Sequence, residues 1–225
     1  MSEKYTLKNA LKHEWYIFLI IAVVILIGVG IYPNLPEQMA IHWNIEGEPD
    51  DYGSRFFGAF GLPLITLGSY LLLLFVPVID PRRQNYPRFT KVYRWIKLGF
   101  VLFMLGVHLV TLAFNLGYKL DIGRLVTLGL GLLFALLGRG LPQIKPNFFV
   151  GIRTPWTLSN PEVWAKTHRF GGKLFFWSGI ALIGTTVLSN RTRFWLLMFL
   201  VFGTALATTV YSYLCFRQEN NAKEE

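Results

Sequence analysis

The hydrophobic and polar positions of this chain alternate on the scale of whole helices, because six long apolar stretches are separated by charged or proline-rich segments. A membrane-crossing helix needs about 20 predominantly apolar residues, within a range of roughly 17 to 25. Four of the stretches meet this length easily, and a fifth of 17 residues is acceptable. The pattern predicts spans at residues 15–36, 56–79, 98–118, 125–138, 174–190 and 194–216.

The fourth stretch is the shortest, with 14 residues between Arg124 and Arg139. A helix of that length covers only about 21 Å, against a hydrocarbon core of about 30 Å. Arginine side chains can snorkel to the interfaces, and Ile122 can extend the helix. We therefore count it as a span. The chain is predicted to be an all-α integral membrane protein, a six-helix transmembrane bundle that forms one domain over residues 1–225.

The distribution of basic residues supports this topology. With the N-terminus inside, six spans place 17 of the 22 Lys and Arg residues in cytoplasmic segments, which is the bias of the positive-inside rule. Both termini are therefore predicted to be cytoplasmic. The formal net charge of +9 is interpreted as the signal that orients the protein in the membrane, together with attraction to anionic membrane lipids. Direct nucleic-acid binding is therefore not inferred.

The first polar segment, residues 32–55, is predicted to be an extracytoplasmic acidic loop divided into turns by proline and glycine. Its carboxylates belong to Glu37, Glu46, Glu48, Asp50 and Asp51. Two interpretations are open: a docking surface for a cationic amphipathic ligand, or a solvated loop. A divalent-cation site that includes His42 is less favoured, because no tight ligand spacing occurs. No metal site and no cofactor is predicted.

The second polar segment, residues 139–173, is predicted to be a cytoplasmic loop with a short interfacial helix. Its prolines make most of it non-helical. Ser159 and Asn160 are N-cap types ahead of a helix predicted at 161–170, with Glu162 three residues after Ser159, and Gly171-Gly172 is predicted to end that helix. Trp164 and His168 share one face of it. A basic helix with a tryptophan between two spans is expected to lie among the lipid headgroups.

Two polar side chains, His108 and Asn115, fall on one face of the third span. His108 is the only ionisable side chain well inside a predicted span. Such groups are functional candidates, as proton relays or ligand contacts. The simpler alternative is a neutral imidazole that hydrogen-bonds the sixth span at Thr204, Thr208 or Tyr211.

Enzyme signatures are absent from the sequence. It contains no HExxH, no Gly-x-Ser-x-Gly and no GxxxxGK[ST] motif. No acid–base pair is recognisable within the spans, so no catalytic residue is predicted. Cys215 is the single cysteine, which excludes an intramolecular disulfide.

Two segments carry a resemblance to a known family. The run KPNFFVGIRTPWTLSNPEVWAKTHRFGGKLF, residues 145–175, resembles the signature of the SdpI family of bacterial membrane immunity proteins. The run YPNLPEQMAIHWNIEGEPDDYGSR, residues 32–55, resembles a small domain of unknown function found N-terminally in many members. The resemblance implies a multi-pass protein of the bacterial cell membrane that protects against a secreted antimicrobial peptide toxin. It also implies, for one branch, a protein that holds a small DNA-binding repressor at the membrane.

Two sets of site residues follow as hypotheses. The toxin-binding set lies in the acidic loop and comprises His42, Trp43, Glu46, Glu48, Asp50, Asp51 and Tyr52. The second set, in the signature, would contact a partner or lipid headgroups and comprises Asn147, Arg153, Thr154, Pro155, Trp156, Trp164 and His168. The alternative function is a small membrane transporter or a lipid-modifying enzyme that uses His108 and the Arg153/His168 pair.

Overall fold

The computed structural model describes residues 4–224, with the side chains of residues 222–224 excepted. Lys223, one of the basic residues counted above, therefore lies outside the described side chains. The helices are α1 Leu7–Ile31, α2 Arg55–Ile79, α3 Thr90–Asn115, α4 Ile122–Gly140, α5 Pro155–Ser159, α6 Pro161–Gly184 and α7 Asn190–Glu224, and the strands are β1 Gln38–Trp43 and β2 Pro49–Ser54.

Six of these helices are long and apolar enough to cross a membrane. The predicted fourth span is among them, as α4. It begins at Ile122, where the Asp121 side chain accepts a hydrogen bond from the Arg124 backbone N–H, 2.8 Å away. This N-cap satisfies an amide that the helix itself cannot, and it places the start of α4 before Arg124, which bounds the apolar stretch in the sequence.

The prediction that Gly171-Gly172 ends a short helix is wrong, because α6 runs unbroken through both glycines. Its start is as expected, since Asn160 caps it by accepting from the Glu162 N–H at 2.8 Å. The glycines serve packing instead. A Cβ atom on Gly172 would lie 2.8 Å from the Gly138 carbonyl oxygen of α4, so only glycine permits this approach of the two helices.

The helices pack in the spatial order α1, α2, α3, α4, α6, α7, with α1 also touching α3. One end of the bundle carries β1 and β2 and is called the hairpin end. At this end Arg193 of α7 bonds Asp121 at 2.8 Å. The opposite end, here the signature end, carries residues 139–160. Tyr5 packs on Tyr86 there, with ring centroids 6.3 Å apart. Both ends of the described chain thus lie at the signature end, and which end faces the cytoplasm stays a prediction.

Residues 38–54 form an antiparallel hairpin rather than a series of turns. Its turn is closed by Asn44, whose side chain accepts from the backbone N–H groups of Glu46 and Glu48. Gly47 has φ 85° there, a conformation that favours glycine. The strand pairing was missed because β2 is rich in aspartate and begins at Pro49, which are poor strand formers.

Candidate functional site

The hairpin is fixed to the bundle by Asn115, one of the two intramembrane polar residues singled out from the sequence. The Asn115 side chain accepts from the Ala40 N–H at 2.8 Å and donates to the Ala40 carbonyl at 3.0 Å. It therefore pairs with β1 as a neighbouring strand would. Its amide also donates to the Thr111 carbonyl at 2.9 Å. Asn115 is an anchor, which explains a polar side chain at the end of a span.

Apolar contacts complete this anchor. Met39 is fully buried, and a Cβ atom on Gly58 of α2 would lie 2.6 Å from its sulfur. Trp43 packs edge-on against Phe114 with ring centroids 5.3 Å apart. Trp43 is therefore partly buried against the bundle rather than displayed to solvent.

The acidic side of the hairpin is exposed. His42 and Asp50 lie 2.5 Å apart, between Nδ1 and Oδ1, and both are solvent-accessible. Glu46 pairs with Arg191 of α7 at 3.2 Å. Glu48, Asp51 and Tyr52 are also exposed. The structure thus brings the seven predicted toxin-binding residues onto one hairpin, with six of them at the surface and Trp43 turned inward. Among the described residues, no group of three or more His, Cys, Asp or Glu could hold a metal ion.

A cavity of about 430 Å³ lies beneath the hairpin, between α2, α3, α4 and the first turns of α7. His108 lines it and is only 1% exposed. The expected hydrogen bond to the last span is not formed, since α3 packs against α2 and α4 instead. His108 bonds the backbone of Ala59, and its Nε2 has no partner among the described residues.

The signature end is a closed hydrogen-bond network centred on Asn147. The fully buried Asn147 donates to the carbonyls of Lys145 and Val150, both at 2.9 Å. Its oxygen accepts from the backbone N–H groups of Phe149 and Val150 at 2.9 and 2.6 Å. One side chain therefore shapes the irregular backbone that follows Pro146.

Asp80, at the end of α2, ties this network to the bundle. Its carboxylate accepts from the Tyr86 hydroxyl at 2.9 Å, from the Phe148 N–H at 2.9 Å and from the Arg82 N–H at 2.7 Å. Burial, and then the hydrogen bond to Asp80, raise the pKa of the Tyr86 phenol. The role of Asp80 does not follow from the hydrophobic pattern, although a lone carboxylate beside several arginines is a usable signal.

Trp164 and His168 stack on each other with ring centroids 4.1 Å apart, which confirms that they share a face. Both are buried. The Trp164 indole donates to the Ile144 carbonyl at 2.9 Å. His168 Nδ1 lies 2.9 Å from the Trp164 carbonyl, and its Nε2 accepts from the Ile152 N–H at 3.0 Å. This pairing fixes a neutral imidazole with the proton on Nδ1.

Burial therefore divides the residues predicted to contact a partner or headgroups. Four lie inside, namely Asn147, Thr154, Trp164 and His168, and the Thr154 hydroxyl bonds Ser212 of α7 at 2.9 Å. Arg153 and Pro155 are exposed, and Trp156 is half-buried against Tyr213. His168 is buried, whereas the Arg153 side chain is exposed to solvent. The two residues therefore do not form the shared polar site that the alternative function requires.

A buried charged cluster contradicts the expectation that no acid–base pair lies within the spans. Lys97 of α3 lies 2.6 Å from the Glu14 carboxylate of α1, and both are almost fully buried. The Tyr70 hydroxyl donates to the same carboxylate at 3.0 Å, and Arg94 is 3.7 Å away. Glu14 and Lys97 flank apolar stretches in the sequence, a position that is typical of interfacial charges. Their pairing depends on packing between helices, which the sequence pattern does not show.

Comparison with known proteins places the sequence motifs in a family context. Residues 143–212 match the SdpI/YfhL protein family, and residues 19–67 match a domain of unknown function, DUF1648. The chain is 24% identical over 205 residues to "Immunity protein SdpI" of Bacillus subtilis (strain 168). The aligned region covers 91% of this chain and 96% of that protein. No solved structure matches. These matches coincide with the two segments singled out from the sequence, and with six candidate spans they confirm the resemblance to the SdpI family of multi-pass bacterial membrane proteins.

Proposed function

We propose that this chain is a membrane immunity protein that protects a bacterial cell against a secreted antimicrobial peptide toxin. Its similarity to an immunity protein along nearly the whole chain supports an immunity function. The observation that carries the finer proposal is the anchored acidic hairpin. Asn115 fixes β1 to the bundle, so the exposed carboxylates are presented on a scaffold rather than on a free loop.

The chemistry of the hairpin suits a cationic amphipathic peptide. Glu48, Asp50 and Asp51 supply negative charge at the surface, and Tyr52, 53% exposed, supplies an aromatic contact. Complementary charge accelerates encounter and orients a partner more than it adds affinity. A captured peptide would be kept from assembling or inserting elsewhere in the membrane.

Neutralising the acidic surface tests this capture. We expect a Glu48→Gln/Asp50→Asn/Asp51→Asn variant to lose protection of a toxin-sensitive bacterium challenged with candidate peptides. The matched control is Glu162→Gln, because Glu162 is an exposed carboxylate at the signature end. Unchanged survival of cells carrying the triple variant, at equal amounts of protein in the membrane, would exclude capture by these carboxylates.

The proposal requires the hairpin to face the outside of the cell. In a Cys215→Ser background, a cysteine introduced at Tyr52 is expected to react with an impermeant thiol reagent on intact cells. A cysteine introduced at Trp156 is expected to react only after the membrane is permeabilised. The reverse labelling pattern would place the acidic surface in the cytoplasm and remove the basis for toxin capture.

Signalling through a small DNA-binding repressor is proposed as a second role of the signature end. Phe148 and Phe149 are 39% and 38% exposed there, beside the exposed Arg153. Aromatic side chains next to arginine are typical of protein-binding surfaces. A Phe148→Ser/Phe149→Ser variant should fail to retain a repressor in the membrane fraction after toxin treatment, whereas Lys145→Gln should retain it. Equal retention by both variants would exclude this surface.

The second candidate function is a small transporter or a lipid-modifying enzyme. The buried Glu14, Lys97 and Tyr70 cluster favours it, because ionisable groups within membrane spans mark proton and substrate pathways in many proteins. Purified protein in lipid vesicles separates the candidates. Saturable solute flux or lipid turnover that is abolished in His108→Ala would favour this function. Toxin-dependent protection without flux or turnover would favour immunity.

A further inference from the structure

The cavity beneath the hairpin contains polar nitrogens whose hydrogen-bonding capacity the protein leaves unused. Three residues that line it each have one buried side-chain nitrogen without a partner among the described residues, namely Trp43 Nε1, His108 Nε2 and Arg193 Nη1. A buried polar atom without a partner destabilises the folded state, and native proteins rarely tolerate several in one place. Their concentration around one cavity points to a ligand.

The donors specify the chemistry of that ligand. An indole N–H and a guanidinium N–H can only donate, so the ligand must offer acceptors. Arg193 bonds Asp121 at 2.8 Å through Nη2, and Arg124 lies 3.4 Å from the same carboxylate. Two guanidinium groups therefore share one carboxylate, which leaves one net positive charge and favours an anionic acceptor such as a phosphate.

Most of the remaining cavity lining is apolar, and the cavity opens toward the lipid. Phe57 and Ile65 of α2 line it and are 50% and 51% exposed. Phe194 of α7 lines it and is 37% exposed. In a six-span bundle these exposed apolar side chains face the acyl chains. A ligand can therefore place its polar group under the hairpin and leave an apolar part in the bilayer.

The depth of the polar groups also suits a lipid. Arg193 lies in the first turn of α7, which begins at Asn190, and Trp43 ends strand β1. Arginine and tryptophan commonly occupy the headgroup level of a membrane protein. His108 is seven residues before Asn115 on α3, which is about 10 Å deeper along the helix. His108 Nε2 is an acceptor there, because Nδ1 carries the proton that is donated to the Ala59 carbonyl, so the donors that face a ligand are those of Trp43 and Arg193, at the headgroup level.

We infer that this cavity is a binding site for one anionic phospholipid, whose phosphate is bound by Arg193 and Trp43 and whose acyl chains lie along the apolar lining. This site does not depend on toxin capture. It would also fix the hairpin to the bilayer, because the lipid would bridge β1 and α7 beneath the acidic surface.

Native mass spectrometry of the full-length protein tests the site. Delipidated protein is titrated with dioleoylphosphatidylglycerol, with dioleoylphosphatidylcholine, and with inorganic phosphate. We expect one phosphatidylglycerol to bind at least about tenfold more tightly than phosphatidylcholine, and phosphate alone not to compete. Binding of free phosphate in competition with the lipid would identify an anion site and overturn the proposal. Equal affinity for the two lipids would also overturn it.

Matched variants locate the binding. Arg193→Lys and Trp43→Phe remove lining donors, and their controls Arg191→Lys and Trp195→Phe make the same changes outside the cavity lining. Arg193→Lys and Trp43→Phe should each weaken phosphatidylglycerol binding about tenfold. Each control should weaken it by less than about twofold. If Arg193→Lys does not fold, Val126→Phe replaces it, because that change fills the cavity without touching the Asp121 ion pair. A folded Val126→Phe protein with unchanged lipid binding would place the lipid elsewhere.

Discussion

The two ends of the bundle contrast in how they treat buried polar groups. At the signature end, Asn147 and His168 have partners for both of their side-chain polar atoms, and Asp80 accepts three hydrogen bonds. In that half of the bundle the described side-chain atoms without a hydrogen-bond partner are Thr167 Oγ1, Arg94 Nε and Lys97 Nζ, and the last two lie 3.7 and 2.6 Å from the Glu14 carboxylate. At the hairpin end, three nitrogens around one cavity have no partner among the residues that the structure describes, and those of Trp43 and Arg193 are donors. A network that is satisfied internally maintains a shape, whereas unused donors that line a cavity can bind a ligand.

This contrast changes the meaning of the family signature. Four of the seven predicted contact residues at the signature end are buried, and the hydrogen bonds of Asn147, Trp164 and His168 hold the backbone of residues 144–152. The hairpin end presents its charged side chains at the surface and encloses a cavity below them. We therefore expect substitutions at the signature end to act mainly through stability, and substitutions at the hairpin end to act mainly through binding.

The largest expected loss of stability comes from Lys97→Met in the signature half of the bundle. The change leaves the Glu14 carboxylate buried without its nearest cation, which costs about 4 kcal/mol of unfolding free energy. Unfolding of the purified protein in mixed micelles measures it. The double variant Glu14→Leu/Lys97→Met should recover most of the loss, and Lys91→Met, at an exposed position on α3, should be neutral. A loss in the double variant as large as in the single one would contradict this account.

Asn147→Ala is expected to destabilise the protein by about 3 kcal/mol. The change leaves the N–H groups of Phe149 and Val150 without their acceptor in a buried site. Thermal unfolding of the detergent-solubilised protein measures the effect. Gln143→Ala is the control, because Gln143 is exposed and makes one hydrogen bond, to the Arg139 carbonyl. Equal melting temperatures for the two variants would show that the signature network does not stabilise the fold.

Asn115→Leu is expected to cost about 1.5 kcal/mol and to act locally. The hairpin would lose its hydrogen bonds to α3 while the helices stay packed. Limited proteolysis should then cut within residues 38–54 faster than in the wild type, with no change in the rate of cleavage elsewhere. Asn220→Leu, an exposed site on α7, is the control. Cleavage spread evenly along the variant would show that Asn115 stabilises the whole bundle rather than its hairpin.

The sequence predicted what depends on local pattern. The six spans, the Asn160 cap and the shared face of Trp164 and His168 are confirmed, because each depends on hydrophobic length or helical spacing. The hairpin was missed, because the aspartates and Pro49 of β2 are poor strand formers, and its anchor to the bundle was missed because the Asn115 side chain is 75 positions from Ala40. Gly172 was misread for a similar reason: its role lies in contact with α4.

The site was predictable only in part. The acidic residues of the hairpin were identified from composition, and the structure places them together on one surface. Arg193 was missed, because an arginine next to an apolar stretch is normally read as an interfacial charge. Its pairing with Asp121 joins two helix starts, and that proximity arises only when α4 and α7 are packed.

The smallest expected effect concerns Tyr86 and pH. Burial and the hydrogen bond to Asp80 raise the pKa of this phenol above its ordinary value of about 10. Below that pH the phenol is protonated in both states, and its contribution to stability is fully present. Above it the unfolded chain releases the proton while the folded protein retains it, so stability falls as pH rises. Tyr86→Phe should therefore cost about 1 kcal/mol at neutral pH and should lose less stability in alkali.

Unfolding measured between neutral pH and pH values above about 10 checks this prediction against Tyr118→Phe, which alters an exposed tyrosine at the other end of the bundle. Burial also raises the pKa of Tyr5, so Tyr86→Phe should reduce the alkaline loss without abolishing it. An alkaline loss in Tyr86→Phe equal to that of the wild type would mean that the phenol is not enclosed by Asp80 and the signature network. The signature end would then be as open as the hairpin end, and the contrast between them would fail at the residue where it is easiest to measure.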